Sequence, residues 1–223
     1  MRDGLGKISI IVWKDLLTEI RTKELLGGMF IFAVLTIITF NFAFDMTGTG
    51  KAASGAGAMW VAFNFAGFLG LGRSIALERD KGSLDGLLLC PVDRGTIFLG
   101  KFIGNLLFIT LVEVISVPIF AALFDLDVFQ PLLILALFLG TLGFAAVGTL
   151  LAVMAASTRS REVLLPVLMF PILLPVVIAS VRATTLILTR QTNDLSAWLN
   201  LLGAYDVLFL AISYAVFDRV VEE

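Results

Sequence analysis

Hydrophobic residues along this chain are gathered into six long runs, which are separated by short segments that contain most of the charged residues. The runs cover residues 25–44, 57–77, 102–124, 131–156, 163–181 and 198–217. An α-helix rises about 1.5 Å per residue, so about 20 apolar residues can cross the roughly 30 Å hydrocarbon core of a bilayer. The pattern therefore predicts an all-α membrane protein with six transmembrane helices.

The composition agrees with this prediction. Of the 223 residues, 59% are hydrophobic and only 15% are charged, and a water-soluble domain of this composition would expose large apolar patches. The spans follow one another too closely for a separate soluble domain of ordinary size. Residues 1–223 are therefore predicted to form a single transmembrane domain.

The basic residues predict the orientation of the spans. Thirteen of the 16 Lys and Arg residues fall on the side of the amino terminus, and only Lys51, Arg182 and Arg190 fall on the other side. Because Lys and Arg are enriched in cytoplasmic loops, the amino terminus is predicted to lie inside, and the even number of spans places the carboxyl terminus there too. The net charge is −2, and no basic patch interleaved with aromatic residues exists, so nucleic acid is not expected as a partner.

Residues 1–24 precede the first span and have an amphipathic pattern. Apolar residues recur there at steps of three and four, with Trp13 suited to the headgroup layer: Ile8, Ile11, Val12, Leu16 and Ile20. This pattern predicts an interfacial helix that lies along the inner membrane surface. An unstructured charged tail is the alternative.

Several chemistries are excluded by composition. The chain has no histidine and one cysteine, Cys90, so it has no HExxH zinc motif, no His-dependent catalytic triad and no intrachain disulfide. Residues 95–101 match the first seven positions of a P-loop, but Phe102 stands where Ser or Thr must bind magnesium. No metal site or catalytic residue is predicted, and the chain is not expected to bind ATP.

The loop after the second span, residues 78–94, contains a second amphipathic segment. Ser83 is suited to cap a helix, Pro91 to end it, and three leucines between them fall on one face: Leu84, Leu87 and Leu88. A two-turn helix on a cytoplasmic loop is suited to docking in a groove of another protein. Resting on the membrane interface is the alternative.

Two polar residues are predicted to lie near the bilayer centre. Glu113 is 12 residues beyond Lys101 in span three, and Asn64 lies at a similar depth in span two. A carboxylate at this depth is costly unless it is neutralised or paired. One interpretation is a hydrogen bond between protonated Glu113 and Asn64, and the other is a role in conduction or gating.

Proline and small residues mark two further spans. Pro166, Pro171 and Pro175 interrupt span five and predict a kink, which is either static or part of a hinge or path. In span four, small residues recur at every fourth position and allow close helix contact, within the subunit or across a dimer: Gly148, Ala152 and Ala156.

Three segments resemble known proteins. The loop order Glu78, Gly82, Leu84, Leu87 and Pro91, followed by Gly100 and Lys101, is similar to the first cytoplasmic loop of bacterial ABC-2 type export permeases, in which it forms the coupling helix. That loop, together with Leu139-Gly-Thr-Leu-Gly143 and the proline-rich residues 164–175, resembles the haem exporter protein B (CcmB) family of cytochrome c maturation. The resemblance extends over essentially the whole chain.

The resemblance implies a non-enzymatic permease subunit in the bacterial cytoplasmic (inner) membrane. It implies a CcmA-like ATPase that binds ATP, CcmC-, CcmD- and CcmE-like partners, and a second copy of the chain as a further possibility. Haem is then the expected substrate, or else ATP is used to release a haem-loaded chaperone. The coupling segment would dock the ATPase through Glu78, Gly82, Leu84, Leu87, Leu88, Pro91 and Arg94. The alternative is an ABC-2 permease that exports a lipid-linked glycan or a hydrophobic drug.

Overall fold

The described part of the computed structural model, residues 2–44, 50–80, 82–90, 92–156, 161–191 and 193–220, consists of helices joined by short connections. These residues contain no strand. Their eight helices are α1 (Arg2–Thr22), α2 (Glu24–Ala43), α3 (Lys51–Asp80), α4 (Ser83–Leu88), α5 (Arg94–Phe124), α6 (Pro131–Ala156), α7 (Arg161–Leu188) and α8 (Leu195–Val220).

Six of these helices are long and apolar enough to cross a membrane, which confirms the predicted number of spans. They are α2, α3, α5, α6, α7 and α8. The bounds of α6 agree with the predicted run, whereas α3, α5 and α7 extend beyond theirs. A hydrophobic run marks only the part of a helix in hydrocarbon, and these helices continue into the polar layer on one or both sides.

Helix α6 is at the centre of the bundle and packs against α3, α5, α7 and α8. Its small residues permit this, since a methyl group at Gly148 would collide with Leu71 of α3 and Met169 of α7. Ala152 is buried as well, while the side chain of Ala156 lies outside the described residues. Gly148 and Ala152 therefore serve packing within the subunit.

Helix α1 has the predicted helical structure, but its apolar residues do not all face the same way. Ile11 is buried in the main core, where α1 packs on α5, whereas Ile20 is exposed together with Ile10 and Trp13. Ile11 and Ile20 therefore lie on different faces of α1. One face of α1 is covered by protein, and the outward apolar residues are suited to the membrane interface.

Helix α7 contains Pro166, Pro171 and Pro175 and is a continuous helix over residues 161–188. Each proline removes one backbone donor and crowds the carbonyl four residues earlier. Tyr205 of α8 donates a hydrogen bond to the carbonyl oxygen of Ile172 at 2.8 Å, which ties this proline-rich stretch to α8. The kink remains a prediction.

Candidate functional site

The loop between α3 and α5 contains the predicted short helix, α4. Gly82 precedes α4 with φ of +63°, a left-handed conformation that favours glycine. The Ser83 hydroxyl donates to the Glu78 carbonyl at 3.1 Å, and the Asp93 carboxylate caps α5 by accepting from the Thr96 amide at 3.3 Å. The ends of the loop are thus fixed by local hydrogen bonds.

The leucines of this loop are placed differently from one another. Leu87 is half-buried and packs against the main hydrophobic core, whereas Leu89 has 87% of its surface exposed. The side chains of Leu84 and Leu88, and the whole of Pro91, lie outside the described residues. Leu87 therefore belongs in part to the membrane domain, and of the two leucine side chains described in this loop, Leu89, which the periodicity did not select, is the exposed one.

Four charged side chains from three helices meet beneath this loop, and we call them the charge cluster: Lys14 and Asp15 of α1, Glu78 of α3 and Lys101 of α5. The Lys101 ammonium is 1% exposed and bonds both oxygens of Asp15, at 3.1 and 2.9 Å, and also Oε1 of Glu78. The Lys14 ammonium lies 3.0 Å from the same Glu78 oxygen and 3.1 Å from Asp15. Two ammonium and two carboxylate groups therefore neutralise one another.

Glu78, which the sequence predicts as a contact for a partner, has its contacts in the charge cluster. Its side chain is largely buried and bonds within the chain, because a buried carboxylate needs internal partners. Arg94 likewise binds the carbonyl oxygen of Asp218 in α8 at 3.1 Å and lies 3.8 Å from its carboxylate. Both residues hold the loop to the bundle.

Burial and charge oppose each other in the charge cluster. Burial by itself lowers the pKa of Lys14, but the carboxylates of Glu78 and Asp15 outweigh it and raise that pKa above its ordinary value. Burial raises the pKa of Asp15, against the opposing effect of the Lys101 ammonium. Lys14 therefore stays charged, and Asp15 depends on Lys101 for its negative charge.

Gly100 of α5 allows α1 to approach closely enough to form the charge cluster, and Gly104 faces the same helix. A methyl group at Gly100 would lie 2.8 Å from Cγ2 of Ile11, and one at Gly104 would lie 3.5 Å from the Asp15 carboxylate. Lys101 lies between the two glycines. The Gly-Lys pair that resembles a P-loop is thus part of the α1 contact.

Within the membrane span, Glu113 accepts a hydrogen bond from the Thr141 hydroxyl of α6 at 2.6 Å. The predicted bond to Asn64 is wrong, since Glu113 is paired with Thr141, and the Asn64 amide donates at 2.6 Å to the carbonyl of Trp60 in its own helix. Asn64 and Glu113 do line the same small cavity. Depth therefore predicted their proximity but not their pairing.

A second acidic residue inside the bundle, Asp206 of α8, was missed by the sequence analysis. It is 4% exposed, and its carboxylate faces α6, where a methyl group at Gly143 would lie 2.5 Å from Oδ1. Neither oxygen has a hydrogen-bond partner within the described residues. A lone Asp in a span is the signal that could have identified it.

The motif Leu139-Gly-Thr-Leu-Gly143 is where α6 meets its neighbours. Gly140 leaves space for Trp60 of α3 and Ser180 of α7, and the Trp60 indole donates to Thr184 of α7 at 2.9 Å. Thr141 and Gly143 contact the two intramembrane acids from opposite sides of α6. The motif therefore places Glu113 and Asp206 at nearly equal depth.

These features define a class, a multi-pass helical membrane protein with a structured loop that is tied to its spans by buried charges. Among the described residues, no group of acidic or sulfur ligands could hold a metal ion. A family model described as CcmB protein matches residues 7–222. The chain belongs to the CcmB family.

Two curated relatives are similar to this chain over most of its length. One is the protein named heme exporter protein B from Rhodobacter capsulatus, which is 30% identical over 154 residues, covering 69% of this chain and 70% of that protein. The other has the same name and comes from Pseudomonas aeruginosa, with 28% identity over 159 residues and 71% of each chain covered.

Proposed function

We propose that this chain is the permease subunit of an ABC transporter for cytochrome c biogenesis in the bacterial inner membrane. Residues 1–223 would form one ABC-2 type transmembrane domain, with residues 1–24 as its interfacial helix and residues 78–94 as its coupling loop. The names of the two relatives support a role in haem export. ATP is hydrolysed by a CcmA-like partner, so the chain itself is not an enzyme.

The observation that carries the coupling proposal is the charge cluster. Glu78 lies just before α4 and Lys101 follows the start of α5, so one ion pair joins the helices on both sides of the loop. A displacement of α4 by an ATPase is therefore transmitted to α3, α5 and α1 together. Without this ion pair, α4 could move without shifting the spanning helices on either side of the loop.

The docking surface of this proposal is centred on α4. It comprises the leucines selected by periodicity, Leu84, Leu87 and Leu88, with Gly82 and Pro91 as further residues predicted from the sequence, and it gains Leu89 because that side chain is exposed. Glu78 and Arg94 are left out of it, since their contacts are internal.

The work performed with ATP is proposed to be the release of haem-loaded CcmE-like chaperone by a complex that includes CcmC- and CcmD-like proteins. The absence of histidine supports this form, since the chain has no imidazole to bind haem iron. Direct movement of haem by the chain is the other form of the proposal.

Docking is tested by recovering the CcmA-like ATPase on tagged permease from membranes. Burial of one leucine contributes about 1.5–3 kcal/mol, so Leu89→Asp should weaken ATPase binding at least about tenfold, with Leu89→Met as the matched apolar control. Equal amounts of inserted permease are checked in parallel. Undiminished recovery with Leu89→Asp would exclude Leu89 from the docking surface and favour a loop that rests on the membrane interface.

The biological role is tested by complementation. In a strain that lacks its own CcmB, the wild-type chain should restore haem attachment to cytochrome c, measured by haem staining of membrane and periplasmic fractions. Failure of an expressed and ATPase-bound chain to do so would favour a lipid-linked glycan or a hydrophobic drug as the exported substrate.

A further inference from the structure

A groove on the lipid-facing side of the bundle is not used by the proposed coupling mechanism. It lies between α2 and α3, is closed at one end by the start of α7, and has a volume of about 670 Å³. This is within the range of about 300–1,000 Å³ that is usual for ligand clefts. Its size and position make it a candidate ligand site.

The groove is apolar along its length and polar at one rim. Its walls include Phe32 of α2 with Phe65 and Phe68 of α3, and the rings of Phe32 and Phe65 are 6.2 Å apart. At the rim, the Arg73 guanidinium binds the Glu24 carboxylate at 2.6 Å, and both side chains remain more than half exposed. The site thus joins an apolar channel to one cation and one anion.

The rim lies at the basic end of the bundle. Glu24 is the first residue of α2, and Arg73 is six residues, or about 9 Å, before Arg79 at the end of α3. In the orientation predicted from the basic residues, with the amino terminus inside, this position is expected in the headgroup layer of the inner leaflet. Because Phe65 and Leu69 are exposed along the membrane-spanning part, the groove is open sideways to lipid.

We propose that the groove binds one inner-leaflet phospholipid whose headgroup carries a phosphate and a primary ammonium, as in phosphatidylethanolamine. The phosphate would accept from Arg73, which has five N–H donors and uses one nitrogen for Glu24. The ammonium would donate to Glu24, and one acyl chain would lie along the phenylalanines. An anionic headgroup would leave the Glu24 carboxylate facing a like charge.

Two neighbouring glycines of α2 provide a matched pair of variants. Gly28 lines the groove, Gly27 does not, and a methyl group at either would meet no atom within 4 Å. A leucine at position 28 therefore starts from open space inside the groove, and a leucine at position 27 adds the same bulk outside it. Both changes raise helix propensity, so neither is expected to prevent folding.

The test is native mass spectrometry of delipidated permease in detergent, titrated with three phospholipids that share the same acyl chains. Phosphatidylethanolamine should bind at least about tenfold more tightly than phosphatidylglycerol, which has no ammonium group. The same difference is expected from phosphatidylcholine, because its quaternary ammonium has no N–H donor. Gly28→Leu and Arg73→Gln should each lower that affinity by about tenfold, and Gly27→Leu should leave it within about twofold. Glu24→Gln should remove the preference over phosphatidylcholine.

Three results would overturn the proposal. Equal binding of the three lipids, or equal loss with Gly27→Leu and Gly28→Leu, would exclude headgroup recognition in this groove. A change of oligomeric state with Gly28→Leu, in the same spectra, would show that a second copy of the chain covers it. Haemin binding that requires Gly28, with no phosphatidylethanolamine binding, would assign the groove to another ligand.

Discussion

Lys101 illustrates what a fully buried charge requires of its surroundings. Its three N–H donors are matched by two oxygens of Asp15 and one of Glu78. Removing one partner of such a group leaves the opposite charges buried and unpaired, which costs more than the pair itself contributes. Stability at the basic end of the bundle therefore depends strongly on this single residue.

Lys101→Met is expected to destabilise the folded permease by about 3–5 kcal/mol, because it leaves two buried carboxylates with only Lys14 as a counter-charge. The thermal midpoint in detergent, followed by tryptophan fluorescence, measures the loss. Lys51→Met is the control, because Lys51 pairs with an almost fully exposed Asp125 and should change the midpoint little.

Adding Asp15→Leu to Lys101→Met should restore much of this stability, since the pair of Lys14 and Glu78 then remains complete. If the double variant is less stable than Lys101→Met, the carboxylate of Asp15 is not the group that Lys101 neutralises.

Glu113→Gln is expected to preserve the fold, because an amide oxygen can still accept the hydrogen bond of Thr141. Glu113→Leu leaves that buried hydroxyl without its acceptor and should cost about 1–3 kcal/mol. Thermal midpoints and haem staining of cytochrome c are measured for both. Loss of cytochrome c maturation in a stable Glu113→Gln variant would reject a purely structural role and support gating.

At the residue scale, sequence reasoning identified isolated charges but not pairs. Glu113 was identified because its depth follows from counting residues, whereas its partner depends on how α5 is rotated against α6. Lys101 was interpreted only as a topology signal. Its pairing with Asp15 was not recognised, because the two residues are 86 positions apart in sequence. The spacing of Gly100 and Gly104 was the available sign that another helix approaches there.

At the scale of elements, the close contact between α1 and α5 depends on the absence of a side chain at Gly100. Gly100→Ala would place a methyl group 2.8–2.9 Å from Ile11 and should destabilise this contact by about 1–3 kcal/mol, partly offset by better helix propensity. Gly104→Ala is the control, because its methyl group has ordinary contact distances. Thermal midpoints compare the two variants.

The clash at Gly100 is checked further in the background of Ile11→Ala, where Gly100→Ala should cost less than in the wild type. An equal cost in both backgrounds would show that Ile11 is not the residue in contact.

The elements themselves were largely predictable. Each apolar run corresponds to one spanning helix, because crossing hydrocarbon demands about 20 apolar residues whatever the neighbours are. The orientation of apolar side chains around α1 was not predictable, since Ile11 meets protein and Ile20 faces outward, and both surroundings are apolar. Helix α4 was predicted from Ser83 and the leucines, but Ser83 is the first residue of the helix, and its hydroxyl donates to the Glu78 carbonyl instead of capping the helix.

For the molecule as a whole, the loop containing α4 is predicted to face the cytoplasm. Native Cys90 is exposed on that loop, and Gln191 is exposed at the opposite end between α7 and α8. In intact spheroplasts, an impermeant maleimide should label Gln191→Cys in a Cys90→Ser background and should not label wild-type Cys90. Labelling of Cys90 before the membrane is permeabilised would reverse the orientation.

Docking and transmission should be separable in the assembled transporter. Leu89 is exposed at the loop, whereas Glu78 is buried in the charge cluster, where its Oε1 receives both Lys14 and Lys101. Glu78→Gln retains an oxygen at that place but removes the charge that attracts the two ammonium groups. The variant should therefore bind the ATPase as wild type does, while its cytochrome c maturation falls at least about tenfold, equivalent to about 1.4 kcal/mol of coupling.

Leu89→Asp should show the opposite effect, with ATPase recovery on the tagged chain reduced directly. Both variants are compared at equal amounts of inserted permease, by ATPase recovery on the tagged chain and by haem staining of cytochrome c. If Glu78→Gln loses the ATPase as well, Glu78 belongs to the docking surface. If it retains both ATPase and maturation, the charge cluster stabilises the fold without transmitting motion, and coupling must pass through the contacts of Leu87 with the main core.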